Sequence, residues 1–321
     1  MSASAQRSMT SGTSWAGLGF ALLSAASFGM SGSFGKALIA GGWSPAAAIL
    51  VRVSGAALIL AIPTIYQLRG RWQLAWQARW QILMYGGTGV IATQLGYFNA
   101  IKHMSVGVAL LIEYSATILV VLWLWLIGHK RPRLLTIISG AVAVGGLILA
   151  LDLTGSSISL TGIAWALVAA VGLATYFVIS GRSDSVIPPV PMVGLGMATG
   201  AVVMIILGLL HLQPMHFTDA TTLIAGLRTS WVVPALGMIL VATVFAYVTG
   251  IIAARQLGAT VASFVGLTEV LFAVLFAWLA LSEAPTWIQA IGGVLLLAGV
   301  AGVRYDDLRY ARAQTVIRMS S

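Results

Sequence analysis

Cysteine is absent from this 321-residue chain, and charged residues make up only 8% of it. Without thiols there is neither a disulfide framework nor a thiolate metal site. A soluble domain carries about a quarter charged residues, so a chain this poor in charge cannot cover a water-facing surface with polar groups. Histidine is sparse as well: His103, His129, His211 and His216 fall at segment ends or in connections and do not cluster. No Gly-Lys phosphate loop occurs, which disfavours ATP-driven work by this chain alone. No catalytic dyad or metal cluster shares one depth, so the sequence does not read as an enzyme and implies no cofactor or metal.

What is abundant is apolar: 59% of the residues are hydrophobic and the mean hydropathy is +0.98. Ten segments are long and apolar enough to cross a bilayer, at roughly 14–38, 45–68, 80–100, 104–127, 133–152, 159–181, 189–211, 230–253, 258–281 and 286–304. The 36 glycines suit helices that approach closely without a hydrophobic drive between them. The net charge of +9 suggests nucleic acid until it is distributed over the spans. With the N-terminus inside, one side holds Arg7, Arg69, Arg71, Arg79, Lys130, Arg131, Arg133, Arg182, Arg255, Arg304, Arg309, Arg312 and Arg318. The other side holds Lys36, Lys102 and Arg228, and Arg52 lies within span two. That bias orients both termini to the cytoplasm. The basic excess faces anionic lipid, and a nucleic-acid partner is not expected.

Punctuation agrees with this division. Pro45, Pro132 and Pro285 stand at helix starts, where a missing N–H costs nothing. Trp72, Trp76 and Trp80 recur every fourth residue beside Arg71 and Arg79, the pattern of a short helix at the inner headgroup boundary. Trp15, Trp43, Trp231 and Trp287 sit at span ends, where interfacial aromatics belong. The polar first residues lack a signal-peptide cleavage pattern. The expected organisation is a disordered cytoplasmic leader over 1–13, five helices over 14–155, five more over 156–304, and a basic cytoplasmic tail over 305–321.

The two sets of five are copies. Gly17, Ala21, Ala25 and Gly29 form a small-residue stripe that returns 145 positions later as Gly162, Ala166, Ala170 and Ala174. Ala100, Lys102, Val108, Ala109, Pro132, Gly140 and Gly146 return 153 positions later as Ala253, Arg255, Val261, Ala262, Pro285, Gly293 and Gly299. Because five is odd, the second copy enters the membrane from the opposite side. An inverted pair of this kind is the construction that permits alternating access. The fold class is therefore an all-α integral membrane protein of ten transmembrane helices in two inverted five-helix repeats, and a monomer supplies both halves.

These features, with the G-x-x-x-A openings at Gly17 and Gly162 and the segment EVLFAVLFAWLALSE over Glu269–Glu283, resemble the drug/metabolite transporter superfamily, specifically its ten-helix EamA-type family. Val270 and Ser282 replace the proline and glycine of that family's span-nine pattern, and His129-Lys130 stands where the first half would carry its acidic residue. Within that family the chain is similar to bacterial YddG-type aromatic amino-acid exporters of the inner membrane. The resemblance implies a central cavity lined by spans one, three, four, six, eight and nine.

Polar residues at membrane depth concentrate in those same spans. Glu113 and Glu269 are the sharpest, because an ionisable group at that depth is expensive and normally faces a cavity or a partner. They are candidates for binding a substrate amine or for proton coupling; the alternative is a structural carboxyl, neutral or paired with Arg52. Arg52 itself reads better as such a partner than as a clamp on a substrate carboxylate. Tyr97, Tyr114, Trp165, Tyr176 and Tyr247, with Phe28, offer rings for a flat or bulky apolar substrate. Gln94, Asn99 and Thr243 complete the candidate substrate contacts, and Ser31 belongs to the same polar group. A nucleotide-sugar carrier would need several cations in its cavity, and only Arg52 lies inside a span. The expected function is secondary export of amino acids, aromatic ones preferred, or related amphipathic metabolites; the alternative is a multidrug or other metabolite carrier of the same superfamily.

The absence of cysteine makes the orientation directly testable. Ser8→Cys or Ser320→Cys is expected to react with an impermeant maleimide only after the membrane is opened, and Asp219→Cys before it. The reverse pattern would invert the topology.

Overall fold

The computed structural model describes residues 3–104, 106–127, 132–151, 159–182, 184–224, 227–281 and 286–320. Among the described residues seven helices are long and apolar enough to cross a membrane, and the shorter apolar helix Leu134–Ala150 supplies span five. Helices are the natural solution here, since a bilayer offers no partner for an open backbone group. The expected His129-Lys130, Ser282, Glu283 and Pro285 features lie outside the described residues.

Several spans are not single regular helices. Span one is Ala3–Gly29 followed by Ser31–Ala40. The leader, expected to be disordered, continues this helix from Ala3, because extending an existing helix adds a hydrogen bond for each residue fixed. Span two, Pro45–Leu68, starts as its sequence suggests, with Pro45 in the first turn and the Ser44 hydroxyl accepting from Ala47 N at 3.2 Å. Span three runs through Arg79–Met84, a π-helical stretch Tyr85–Ala92 and Thr93–Ala100. Span four is Val106–Tyr114 and Ala116–Leu126. Spans six and seven are Leu160–Ser180 and Pro189–Leu209. Span eight starts with Val232–Ile239 and the π-helical stretch Leu240–Phe245. It continues in Ala246–Gly266, which kinks at Gly258, where φ is +80°. That conformation is open to glycine and strained for other residues. The remainder of that helix and Thr268–Leu281 form span nine. Span ten begins at Trp287 and extends to Ser320, so the basic tail prolongs its helix.

The duplication is visible in the contacts themselves. A Cβ at Gly17 would meet Gln256 and Leu257, and one at Gly162 would meet His103 and Met104; each pair of neighbours is the other shifted by 153. Thus each half's first span packs into the other half's third and fourth. Spans five and ten meet backbone to backbone. A Cβ at Gly146 would strike Leu296 N and Gly292 O, and one at Gly299 would strike Ala143 N and Ser139 O. Again 143 and 296, and 139 and 292, differ by 153. At one end of this pair Arg133 bridges Asp306 at 3.3 Å, and the Thr136 hydroxyl donates to the same carboxylate.

The segment between spans seven and eight is pinned to the start of span two. Ser44 Oγ donates to Pro214 O at 2.6 Å and accepts from His216 N at 3.0 Å, and Trp43 Nε1 donates to Thr218 O at 2.8 Å. A small hairpin pairs Thr222–Ile224 with Leu227–Thr229. Trp43, expected at the lipid interface, is only 5% exposed, packed against Trp231 and Phe217; the loop folds over it and removes it from lipid. Trp15 and Trp287 stay exposed. Trp72, Trp76 and Trp80 are exposed as well, with the Arg79 guanidinium over the last two rings.

Gly146→Val should lower the thermal unfolding temperature in detergent, by an overpacking cost of about 1–3 kcal/mol or more. Gly145→Ala, one residue away with open space where its Cβ would stand, should leave it unchanged or slightly raised. Equal effects of the two would remove the close backbone contact as a stabilising feature.

Candidate functional site

Spans four and nine break at the same place in the repeat. Tyr114 closes the first helix of span four and Thr268 opens the last helix of span nine. Ser115 and Thr268, 153 apart, treat the exposed backbone identically. Ser115 Oγ donates to Ile112 O at 2.6 Å, and Thr268 Oγ1 donates to Val265 O at 2.7 Å. Hydroxyls that re-satisfy freed carbonyls are what allow a membrane helix to be interrupted. Glu113 sits just before the first break and Glu269 just after the second. Glu269 also occupies the first turn of its helix, where the dipole favours an anion.

Both carboxylates line a cavity of about 280 Å³. Spans one, three, four, six, eight and nine wall it, and span two contributes Arg52. The Tyr114 hydroxyl faces the Glu269 carboxyl, and Glu113 and Glu269 lie within electrostatic reach of each other. Gln94, Tyr97, Tyr176 and Tyr247 reach the cavity as the sequence suggests, together with Phe28 and Ser31. One end of the cavity extends to the exposed residues Gly32, Lys36 and Ile39. Toward the other end the rings close on one another: Phe28 and Tyr247 at 4.8 Å, Tyr176 and Tyr247 at 5.5 Å, Tyr85 and Tyr176 at 5.7 Å.

Three expected contacts lie elsewhere. Thr243 is fully buried behind Arg52, donating to Met238 O at 2.7 Å while accepting from Arg52 Nε at 2.8 Å. Asn99 is tied up locally, donating to Leu95 O at 2.8 Å and accepting from Lys102 Nζ at 3.0 Å. Trp165 is 36% exposed and does not line the cavity. Depth and polarity alone do not tell which side of a helix faces inward, and a residue half a turn off the cavity face is spent on packing or capping.

Arg52 differs most from its expected part. It is 6% exposed, and among the described residues no carboxylate lies within ion-pair distance of it. Its bonds go to neutral groups: Thr243 Oγ1 and Ala242 O at 2.8 Å, Gln94 Oε1 at 2.9 Å and Ser31 Oγ at 3.2 Å. The π-helical stretch of span eight presents two of these acceptors, because a widened turn releases carbonyls from the regular ladder. Tyr85 was not singled out from the sequence and is fully buried below the cavity. Its local signal is the Tyr-Gly-Gly start of the other π-helical stretch, where a Cβ at Gly86 would strike Gly196 O.

A search of curated proteins finds no match to the chain. A solved structure described as "Crystal structure of protein" is similar in fold, with a TM-score of 0.72 and 18% identity over 94% of this chain and 99% of that one. The model of the EamA-like transporter family matches twice, over residues 15–151 and 160–305. The two matches divide the chain as the inverted repeats do. The cavity lies between them, and the chain belongs to the EamA-like transporter family, membrane transporters of the drug/metabolite superfamily.

Proposed function

We propose that this protein is a secondary transporter that exports amino acids, aromatic ones preferentially, across a bacterial inner membrane by alternating access, with one chain as the working unit. The observation that carries this reading is a cavity whose walls carry both acidic and basic side chains. Glu113 and Glu269 stand at the breaks of spans four and nine, and Arg52 enters from span two. An amino acid carries the complementary pair, an ammonium and a carboxylate. The rings between them suit an aromatic side chain, stacking on its faces while their hydroxyls remain available. The volume, about 280 Å³, is at the small end of ligand cavities and fits a metabolite better than a bulky drug.

The mechanism follows from the pairing of the halves. The open end at Lys36 and Ile39 is the outer one by the distribution of arginine and lysine, so the chain stands open to the exterior with the tyrosine cluster sealing the inner side. Exchanging the conformations of the two halves, which repeat one five-helix unit, closes the outer side and opens the inner one. The interrupted spans four and nine supply the joints, and the close contact of spans five and ten holds the halves together while they rock. Substrate entering from the cytoplasm binds through its ammonium to Glu269, which also serves with Glu113 as a proton-coupling carboxylate.

Proteoliposomes loaded with labelled phenylalanine, tyrosine or tryptophan should show efflux and counterflow that an imposed pH gradient alters. Glu269→Gln should reduce the rate at least tenfold and remove the response to the gradient. Transport unaffected by the gradient would overturn proton coupling, and undiminished transport by the variant would return Glu269 to a structural part. Movement of hydrophobic cations with no amino acid moved would favour the multidrug alternative.

A further inference from the structure

A guanidinium buried at membrane depth is expensive unless its charge is compensated. Arg52 has dipoles around it but, among the described residues, no carboxylate bridging it. The four bonds to Thr243, Ser31, Gln94 and Ala242 account for four of the five N–H donors of a guanidinium. They hold the group rigid, and Glu269, the carboxylate whose field reaches Arg52, stays beyond ion-pair distance. Beside it, Gln94 is 7% exposed; its Nε2 is buried and makes no hydrogen bond among the described residues, and the Tyr247 hydroxyl is its polar neighbour. Gln94 Oε1 is committed to Arg52, so its amide donor is fixed in place by the same contact. Arg52, Gln94 and Ser31 all line the cavity. A cation with no carboxylate in contact and an amide donor with no hydrogen bond, both on residues more than nine-tenths buried that line one space, favour an anion that accepts from both.

We propose that Arg52 and Gln94 Nε2 form a carboxylate subsite, which requires a carboxylate on every well-bound substrate and holds it at the span-two side of the cavity. Arg52 is then a specificity-determining residue and not a structural counter-ion of Glu113. The geometry matches the planar donor array that guanidinium and amide groups offer a carboxylate. It also sets polarity: the carboxylate lies toward Arg52, so an ammonium on the same molecule points toward Glu113 and Glu269. Thr243 and Ala242 act through Arg52 as positioning groups, since they fix the plane of the guanidinium without lining the cavity themselves. Substrates with an ammonium but no carboxylate leave Arg52 uncompensated and lose that gain. The ammonium end of this orientation rests on the amino-acid reading; the subsite itself does not.

The test measures binding to the full chain in lipid nanodiscs. The probes are phenylalanine, phenylalaninamide, 2-phenylethylamine and 3-phenylpropanoate, with the corresponding leucine series for an aliphatic side chain. The wild-type chain should favour the carboxylate over the matching amide or amine by at least tenfold. Arg52→Gln should collapse that ratio toward one. Because Arg52→Gln removes several buried bonds, Gln94→Glu is the second variant: it offers Arg52 an internal partner, should keep the wild-type thermal melt, and should collapse the same ratio by filling the subsite. Equal binding of phenylalanine and phenylalaninamide by the wild-type chain would overturn the proposal, as would a ratio unchanged in both variants. Competition by chloride or phosphate equal to that by carboxylates would overturn it in favour of an inorganic-anion site. Binding of 3-phenylpropanoate without any amino acid would sustain the subsite and sink the amino-acid reading. Binding of none of the probes would sink both.

Discussion

Every backbone N–H and C=O inside a bilayer must find a partner within the protein, and the whole arrangement of this molecule turns on how that demand is met where the helices are not regular. Spans four and nine are interrupted at Ser115 and Thr268, and each hydroxyl takes over a carbonyl three residues back. Spans three and eight carry π-helical stretches instead, stabilised by glycine contacts in one and by Thr243 and Arg52 in the other. These four irregular spans, with spans one and six, wall the cavity. Irregular backbone at this depth is tolerated only where protein or an internal cavity surrounds it. The cavity and the breaks therefore imply each other.

The rest of the scaffold is symmetric to a fine level. Gly17 and Gly162 press on residue pairs 153 apart, and Gly146 and Gly299 press on Leu296 and Ala143 with the same offset. Such contacts leave no room for a side chain, so association of the halves depends on close van der Waals packing in place of a hydrophobic drive. A frame of this kind has two equivalent arrangements of similar energy, a physical requirement for exposing one site to both sides of a membrane. Its symmetry says nothing of what is carried.

Chemistry enters where the copies differ. Glu113 aligns with Gly266 and Glu269 with Ala116, while Tyr247 aligns with Gln94. Arg52 takes its acceptors from the opposite half of the chain, Thr243 and Ala242 of span eight, as well as from Ser31 and Gln94 of its own half. The cavity is consequently polar in one direction and aromatic around its girth. A small zwitterion satisfies that pattern better than a neutral or purely cationic solute does.

Membrane class, inverted duplication and the spans that wall the cavity were legible in the sequence. Hydropathy, basic residues at span ends and repeated glycines act locally or at fixed offsets. That Glu113, Glu269, Gln94, Tyr97, Tyr114, Tyr176 and Tyr247 face an internal space was legible too, since polar and aromatic groups at membrane depth are costly to place idly. Thr243, Asn99 and Trp165, whose facing depends on helix rotation, lie off the cavity, and a distant loop covers Trp43. The partners of Arg52 were not legible. An arginine and a glutamate in neighbouring spans suggest an ion pair. Only the fold shows that span eight's π-helical turn brings Thr243 and Ala242 to the guanidinium first. The sequence by itself thus determined the solvent this protein lives in and the symmetry of its frame, because both are written in local composition and repetition. Tertiary structure alone decided which charges stayed unpaired in the cavity, because that depends on distances between residues nearly two hundred positions apart.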